Sequence, residues 1–224
     1  MDDAINIVAL RGVRGMIADK MQKSLQEAAQ LTHHAQADVS SLISMKERLS
    51  SEGTKVSIED LIMHVVCSVL GRHSHMNGVV QGKEVHLHEQ IHLSMAMALP
   101  GNLLVAPAIF NASRKQLGEL REARQDLSAR AKSNKLTVPE MTNGTFTISN
   151  LGLSRVHHFT PILNTPQIAL LGIGSIVQQA APGENDAVLW KPVMGLSLTF
   201  DHRAVDGAPA ADFLTDICKS IESL

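Results

Sequence analysis

Between residues 12 and about 30, Val13, Ile17, Met21 and Leu25 recur four apart, which predicts one stripe of an amphipathic helix. A second helix follows Asp38, which can cap it, and carries Val39, Leu42, Met45 and Leu49 as far as Gly53. "SIED" (57–60) reads as a capping box with Asp in place of Glu. The helix it opens, "LIMHVVCSVL", is apolar on most sides, which predicts burial, and Gly71 is its expected end. From about 85 to 110 the period falls towards two in "VHLHEQIHLSMAMAL", breaks at "PGN" and resumes in "LLVAPAIF". Ser113 is placed to cap a charged helix over 114–132. Strands are then predicted at "GTFTIS" (144–149), "QIALLGIGSIV" (167–177) and "VMGLSLTF" (193–200), with a short "AVLW" before the last. Gly183 to Asp186 reads as a hairpin turn, and a helix follows over 207–223. Helices and strands interleave without a repeat or a Pro/Ser-rich linker. The pattern predicts one α/β domain with a mixed sheet flanked by helices.

Composition narrows what this domain can do. With 224 residues, 44% of them hydrophobic, the chain can bury one sizeable core or at most two small ones. A formal net charge of -2 gives no general attraction to nucleic acid or to an anionic membrane. No apolar run approaches the roughly 20 residues that span a bilayer. The start, "MDDAINIVAL", has neither the basic region nor the apolar core of a signal peptide. Cys67 and Cys218 sit apart in apolar helical stretches and read as core residues of a reducing compartment, so a cytoplasmic location is expected. The alternative is the mitochondrial matrix, should the chain derive from a longer precursor.

Eleven histidines raise the question of metal. His86, His88 and His92 would share one face of a strand by parity. No cysteine or carboxylate partner is evident from the spacing, so a solvated strand face is expected and no metal site. In His33-His34 and His157-His158 the neighbours point opposite ways on a strand, so neither pair chelates easily. "GIGS" (172–175) falls inside an apolar strand instead of opening a helix, which disfavours a phosphate cradle.

The most polar cluster, "FDHRAVDG" (200–207), lies where an apolar strand runs out. Taken alone it is a hydrogen-bonded corner, and "GTFTISNLG" (144–152) is a strand ending in a turn. Together they resemble the catalytic domain of the dihydrolipoyl acyltransferases, the core components of 2-oxo acid dehydrogenase complexes. The resemblance runs from "LRGVRGMIADKM" (10–21) through "ADVSSLISMKERL" (37–49), "VSIEDLIMHV" (56–65) and "FTPILNTPQIALLGIG" (159–174) to "LSLTFDHRAVDG" and "DGAPAADFL" (206–214). Residues 1–9 then read as an extension or linker remnant, and 10–224 as the catalytic domain.

The resemblance implies a chloramphenicol acetyltransferase-like fold and a homotrimer with active sites in channels between subunits. Coenzyme A would enter as substrate from one end and a dihydrolipoyl arm from the other. His202 matches the general base and Ser149 the hydroxyl that stabilises the oxyanion, the two coming from adjacent subunits. Asp206 holds the loop of His202 and pairs with an arginine of the first helix, here Arg14. Asp201 and Arg203 brace the same corner. An imidazole can deprotonate a thiol at neutral pH, and a placed hydroxyl can donate to the alkoxide formed on a thioester. The acceptor thiol is itself the nucleophile, so no cysteine is needed beside the histidine.

Departures from the family pattern shape further expectations. Gly15 stands where a basic residue is usual, and "LPGNLLVAP" (99–107) holds one extra residue. Met95 and Met97 replace smaller residues, so they either pack the core or narrow the acyl pocket, and with Asn150 they are the candidate substrate contacts. No lipoyl domain or peripheral-subunit-binding domain precedes residue 10. The lipoyl group would therefore come from a longer chain in cis or another protein in trans, with other 2-oxo acid dehydrogenase components as further partners. The end at "DICKSIESL" lacks an apolar tail, which predicts an isolated trimer instead of a cage. "FTISNLG" and "IFNA" favour acetyl transfer. A trimeric scaffold with a vestigial site is the alternative function.

Overall fold

The fold is taken from a computed structural model that describes residues 7–101, 103–183 and 187–224. Helix α1 (Gly12–Glu27) ends sooner than its stripe predicts, because Ala28 is already extended and strand β1 (Gln30–Asp38) begins. Helix α2 (Ser40–Ser51) starts one residue later than an Asp38 cap would place it. Asp38 Oδ1 still accepts from the Ser40 backbone at 2.9 Å and the Ser40 hydroxyl at 2.6 Å. Those bonds, with Lys191 beside it, lower the Asp38 pKa to about 2.

Helix α3 (Ile58–Arg72) runs one residue past Gly71 and opens on the capping box read from "SIED". Asp60 Oδ2 accepts from the Ser57 backbone at 2.8 Å, and Ser57 Oγ accepts from the Asp60 N–H at 3.2 Å. Next come the short hairpin strands β2 (Gly78–Gln81) and β3 (Glu84–Leu87), then β4 (Leu93–Met95), β5 (Met97–Leu99), β6 (Leu103–Val105) and β7 (Ala108–Ile109). Helix α4 (Leu117–Lys132) is capped by Gln116 with Glu119, not by Ser113. Asn111 turns left-handed and 112–114 form a 3₁₀ turn, which holds Ser113 short of the helix. Helix α5 (Val138–Thr142), strands β8 (Phe146–Asn150), β9 (Ala169–Pro182) and β10 (Val188–Asp201), and helix α6 (Gly207–Glu222) complete the chain. The expected turn at 183–186 falls, beyond Gly183, outside the described residues.

Six strands form one mixed sheet in the order β1-β10-β9-β8-β4-β7. β8 runs parallel to both β4 and β9, and the other neighbours are antiparallel. Strand parity then divides the sheet. Phe146, Ile148, Leu171, Ile173, Leu198 and Phe200 point into a core shared with α2, α3 and α6. Thr147, Ser149, Gly172, Ser197 and Thr199 alternate with them and take the other face.

On that second face the segment 157–164 crosses β9 and β10 closely. A Cβ at Gly174 or at Gly195 would collide with the His157 carbonyl oxygen, so both strands need glycine there. His157 Nδ1 lies 3.0 Å from Ser175 Oγ, and the Val156 carbonyl accepts from Ser175 N–H at 2.8 Å. Crossing segment and sheet thereby enclose a space that the helices do not fill.

Candidate active site

The histidine corner is built on one buried carboxylate. Asp201 ends β10 with its side chain 2% exposed, and the Arg203 guanidinium forks onto it with Nε at 3.0 and 3.1 Å and Nη2 at 2.6 Å. Its Oδ1 also accepts the backbone N–H of Arg203 at 3.0 Å and of Ala29 at 3.2 Å. Burial opposes ionisation of Asp201, but the Arg203 fork and these amides more than offset it and hold its pKa below the usual carboxylate value. The Asp201 carbonyl takes the N–H groups of Ala204 and Val205, and His202 N–H donates to the Ala29 carbonyl at 2.8 Å. Every residue of the turn is thus tied to its own strand end or to the start of β1.

His202 projects from this corner with its side chain 45% exposed. Its Nδ1 lies 3.6 Å from Asp206 Oδ1, ion-pair reach but longer than a hydrogen bond. Asp206 occupies the N-cap position of α6 yet makes no capping bond, which leaves its carboxylate facing the imidazole. Arg14 lies in the first turn of α1 and is exposed in the protomer.

Ser149 lies on the second face of β8, opposite Gly172 of β9, and its hydroxyl has no hydrogen-bond partner among the described residues. It lines a cavity of about 410 Å³ whose walls are largely apolar: Ile17 and Met21 of α1, Ala96, Leu104 to Ala106, Met141, Leu170, and Phe159, Pro161 and Ile162 of the crossing segment. Polar groups are few here and mostly satisfied. Thr147 Oγ1 donates to Gln167 Oε1 at 2.5 Å, and Lys20 Nζ donates to Asn164 Oδ1 at 2.6 Å. Desolvation of the amine lowers the Lys20 pKa from the ordinary lysine value, although the residue as a whole is exposed. Ser149 is left as the free donor in an apolar chamber.

Register shows how far Ser149 lies from His202. Ser149 is level with Gly172, which is level with Ser197 on β10, and His202 lies beyond the end of that strand. At about 3.3 Å per residue along a strand and about 4.8 Å between strands, the two residues are roughly 19 Å apart within one protomer.

Of the two alternatives for Met95 and Met97, core packing or pocket lining, the protomer shows core packing. Met95 is 1% exposed in the core, and Met97 packs against the same core, while Ala96 between them reaches the cavity. Neither methionine is among the residues lining the cavity of the protomer. Asn150 also faces away from it: Nδ2 donates to Glu59 Oε1 at 3.1 Å, and Oδ1 accepts from Gly152 N–H at 2.8 Å.

The three histidines of 86–92 do not share a strand face. β3 ends at Leu87, because Asn77 Nδ2 donates to the carbonyls of His88 and Gln90 at 2.7 and 3.0 Å and bends the chain away. His86 pairs with Glu84, and His92 Nδ1 accepts from Asn111 N–H. Among the described residues no group of three or more His, Cys, Asp or Glu is arranged to hold a metal ion. No helix among them is long and apolar enough to cross a membrane.

Sequence reading assigned no role to Lys20, Ala96, Phe159 or Asn164. One signal was present: Gly172 in mid-strand marks a close approach, and a Cβ there would sit 2.8 Å from the Phe159 ring. Ala96 follows from parity once Met95 is placed in the core. Lys20 and Asn164 carry no local signal, since their pairing joins α1 to a segment far along the chain.

Fold and site together define an α/β domain with an apolar chamber beside a free hydroxyl and an outward-facing histidine at a braced strand end. Residues 3–224 match the family described as 2-oxoacid dehydrogenases acyltransferase (catalytic domain), and the chain belongs to that family. A relative from Bacillus subtilis, the dihydrolipoyllysine-residue acetyltransferase component of an acetoin cleaving system, is 37% identical over 212 residues, covering 92% of this chain and 53% of that protein. The chain thus spans about half the length of the curated relatives it matches. Among solved structures, a probable dihydrolipoamide acetyltransferase from Listeria monocytogenes superposes with a TM-score of 0.90 at 28% identity, over 98% of this chain and 95% of that one. The dihydrolipoamide acetyltransferase of Azotobacter vinelandii, solved in a study of a serine, a histidine and an asparagine in its catalytic mechanism, gives 0.90 at 25% identity, over 99% and 95%. A chloramphenicol acetyltransferase, at 13% identity and TM-score 0.58 over 97% and 98%, shares the fold.

Proposed function

We propose that this domain transfers an acyl group, acetyl by preference, between an S-acyldihydrolipoyl arm and coenzyme A, within a homotrimer. The observation that carries the reading is the separation of its two candidate groups. Ser149 faces a largely apolar cavity, and His202 faces outward roughly 19 Å away. They can act on one substrate only if neighbouring copies bring them together. Helix α1 supports such an assembly: Val13, Met16 and Leu25 are 50%, 64% and 57% exposed in the protomer, and Ser24 is its one buried residue.

The residues divide the reaction as follows. With Nδ1 turned towards Asp206, His202 has Nε2 available to take the proton of the attacking thiol. The sulfur adds to the thioester carbonyl, and the oxyanion so formed accepts a hydrogen bond from Ser149 Oγ. Collapse breaks the bond to the departing sulfur, which recovers the proton from His202. Low polarity in the chamber strengthens the serine contact. Asp201 with Arg203 fixes the corner, and Asp206 with Arg14 completes the support.

The reading also draws on the Azotobacter enzyme, whose histidine and asparagine lie four positions apart, as His202 and Asp206 do here. An arm carrying the lipoyl group, in cis or in trans, and the other components of a 2-oxo acid dehydrogenase complex are the partners this reading requires. The test is direct: acetyl-CoA and free dihydrolipoamide should yield S-acetyldihydrolipoamide at an enzyme-dependent rate. Absence of transfer by folded oligomer would leave the scaffold reading. Comparing acetyl-, propionyl-, isobutyryl- and succinyl-CoA ranks the acyl groups.

A further inference from the structure

Ser149 and Asn150 are neighbours on opposite faces of β8, and the bonding of Asn150 leads away from the chamber into the helical layer. Glu59, which accepts from Asn150, has its other oxygen 3.5 Å from Arg124 Nη1. Arg124 in turn forks onto Asp60, with Nε at 2.6 Å and Nη2 at 3.1 Å, and its Nη2 also reaches Ser57 Oγ at 3.3 Å. Asp60 is fully buried and is the same carboxylate that closes the capping box of α3. A continuous run of partners therefore joins α4, the first turn of α3 and the residue beside Ser149.

The place it reaches is where the sheet holds β8 least. Strand β4 pairs with β8 only as far as Ile148, the last contact on that side being Ala96 N–H to the Ile148 carbonyl at 2.9 Å. Ser149 and Asn150 keep a ladder to β9 alone. Immediately beyond, Asn150 Oδ1 takes the Gly152 N–H and starts the turn leading to the crossing segment that walls the chamber. The Asn150 side chain thus stands in for a missing strand neighbour.

We propose that Asn150, Glu59 and Arg124 are positioning residues for acyl transfer, aiming the Ser149 hydroxyl by fixing the end of β8 and the turn that follows it. The inference rests on the reading of Ser149 as oxyanion donor. A displacement of about 1 Å at a catalytic group can cost up to about 100-fold in rate, so a single bond at this strand end has leverage over kcat.

Substitutions can separate aim from folding. Asn150→Asp keeps the acceptor for Gly152 but sets a second carboxylate against Glu59; Glu59→Ala removes the acceptor; Glu59→Gln keeps one. Asn150→Asp and Glu59→Ala should lower kcat about 10- to 100-fold with the KM for coenzyme A nearly unchanged, and Glu59→Gln should recover most of the rate. Combined with Ser149→Ala, Asn150→Asp should cost little more, because there is no hydroxyl left to aim. Equal losses in both backgrounds, or a wild-type kcat in Asn150→Asp while Ser149→Ala is impaired, would overturn the inference and leave the serine reading intact. An unchanged kcat in Ser149→Ala would remove the serine reading, and this one with it. Should Asn150→Asp fold poorly, the contrast between Glu59→Ala and Glu59→Gln decides alone: equal rates would refute the proposal.

Discussion

The two faces of the central sheet are made by the same strands, one position out of phase, and they do different work. On the helix-covered face, Phe146, Ile148, Leu171, Leu198 and Phe200 are buried against other apolar side chains. On the opposite face, Thr147, Ser197 and Thr199 are equally buried, at 1% exposure, yet each is hydrogen-bonded: Thr147 to Gln167, Thr199 to Thr32, Ser197 to His34. Ser149 is the exception on that face, a hydroxyl without a partner among the described residues, at the wall of a cavity. Ser149 is only half-buried, so its hydroxyl is open to a ligand's oxygen from the cavity side. One parity holds the apolar core, and the other holds the hydroxyl to which the proposed function assigns the chemistry.

Breaking the chemical side should have the largest effect. His202→Ala should fold and assemble normally yet lose about 10²- to 10⁴-fold in transfer, and a loss below about tenfold at saturating substrate would contradict the assignment. Ser149→Ala should lower kcat by roughly 2.7–4 kcal/mol of barrier, with little change in the KM for coenzyme A. Ser149→Thr should keep part of the rate, since its hydroxyl can still donate.

Breaking the structural side should read out in stability instead. Met95→Ala should cost about 2–5 kcal/mol of unfolding free energy, measured by denaturant, while the ranking of acyl-CoA substrates stays unchanged. Ala96→Leu, one position on, should do the reverse and discriminate against the bulkier acyl groups. A changed acyl ranking in Met95→Ala would mean that parity does not partition the sheet as described.

The smallest effect expected is on acid stability. Asp60 and Asp201 both have pKa values held below the ordinary carboxylate value, by Arg124 and Arg203 working against burial. A carboxylate whose folded pKa is depressed stabilises above its unfolded pKa, near 3.9, and loses that contribution as pH falls through the folded value. The acid limb of stability should therefore lie below about pH 4. Asp201→Asn should make that limb shallower and cost about 1–3 kcal/mol at neutral pH.

Much of this organisation was legible in the chain. The capping box at Ser57, the strands through Ile148 and Leu171, and the polar cluster after Phe200 are local patterns, and local patterns survive folding. β1 was not legible: "QLTHHAQAD" has no β-branched run beyond Thr32, and its place comes from pairing with β10 and packing under α6. The shared face expected of His86, His88 and His92 failed for a similar reason, since one distant side chain, Asn77, ends the strand. At the site, residue types could be read but not directions. Asn150 was named as a candidate substrate contact, but it adjoins Ser149 on a strand, and that adjacency turns it to the opposite face.

The central claim is that Ser149 and His202 act together only across two copies of the chain, and mixed oligomers test it most directly. His202→Ala and Ser149→Ala chains should each be nearly inactive alone. Co-refolded in equal amounts into trimers, they should regain activity at about a quarter of the interfaces, where an intact serine from one chain meets an intact histidine from the next. No recovery in trimers shown to be mixed would place both residues within one subunit and contradict the account.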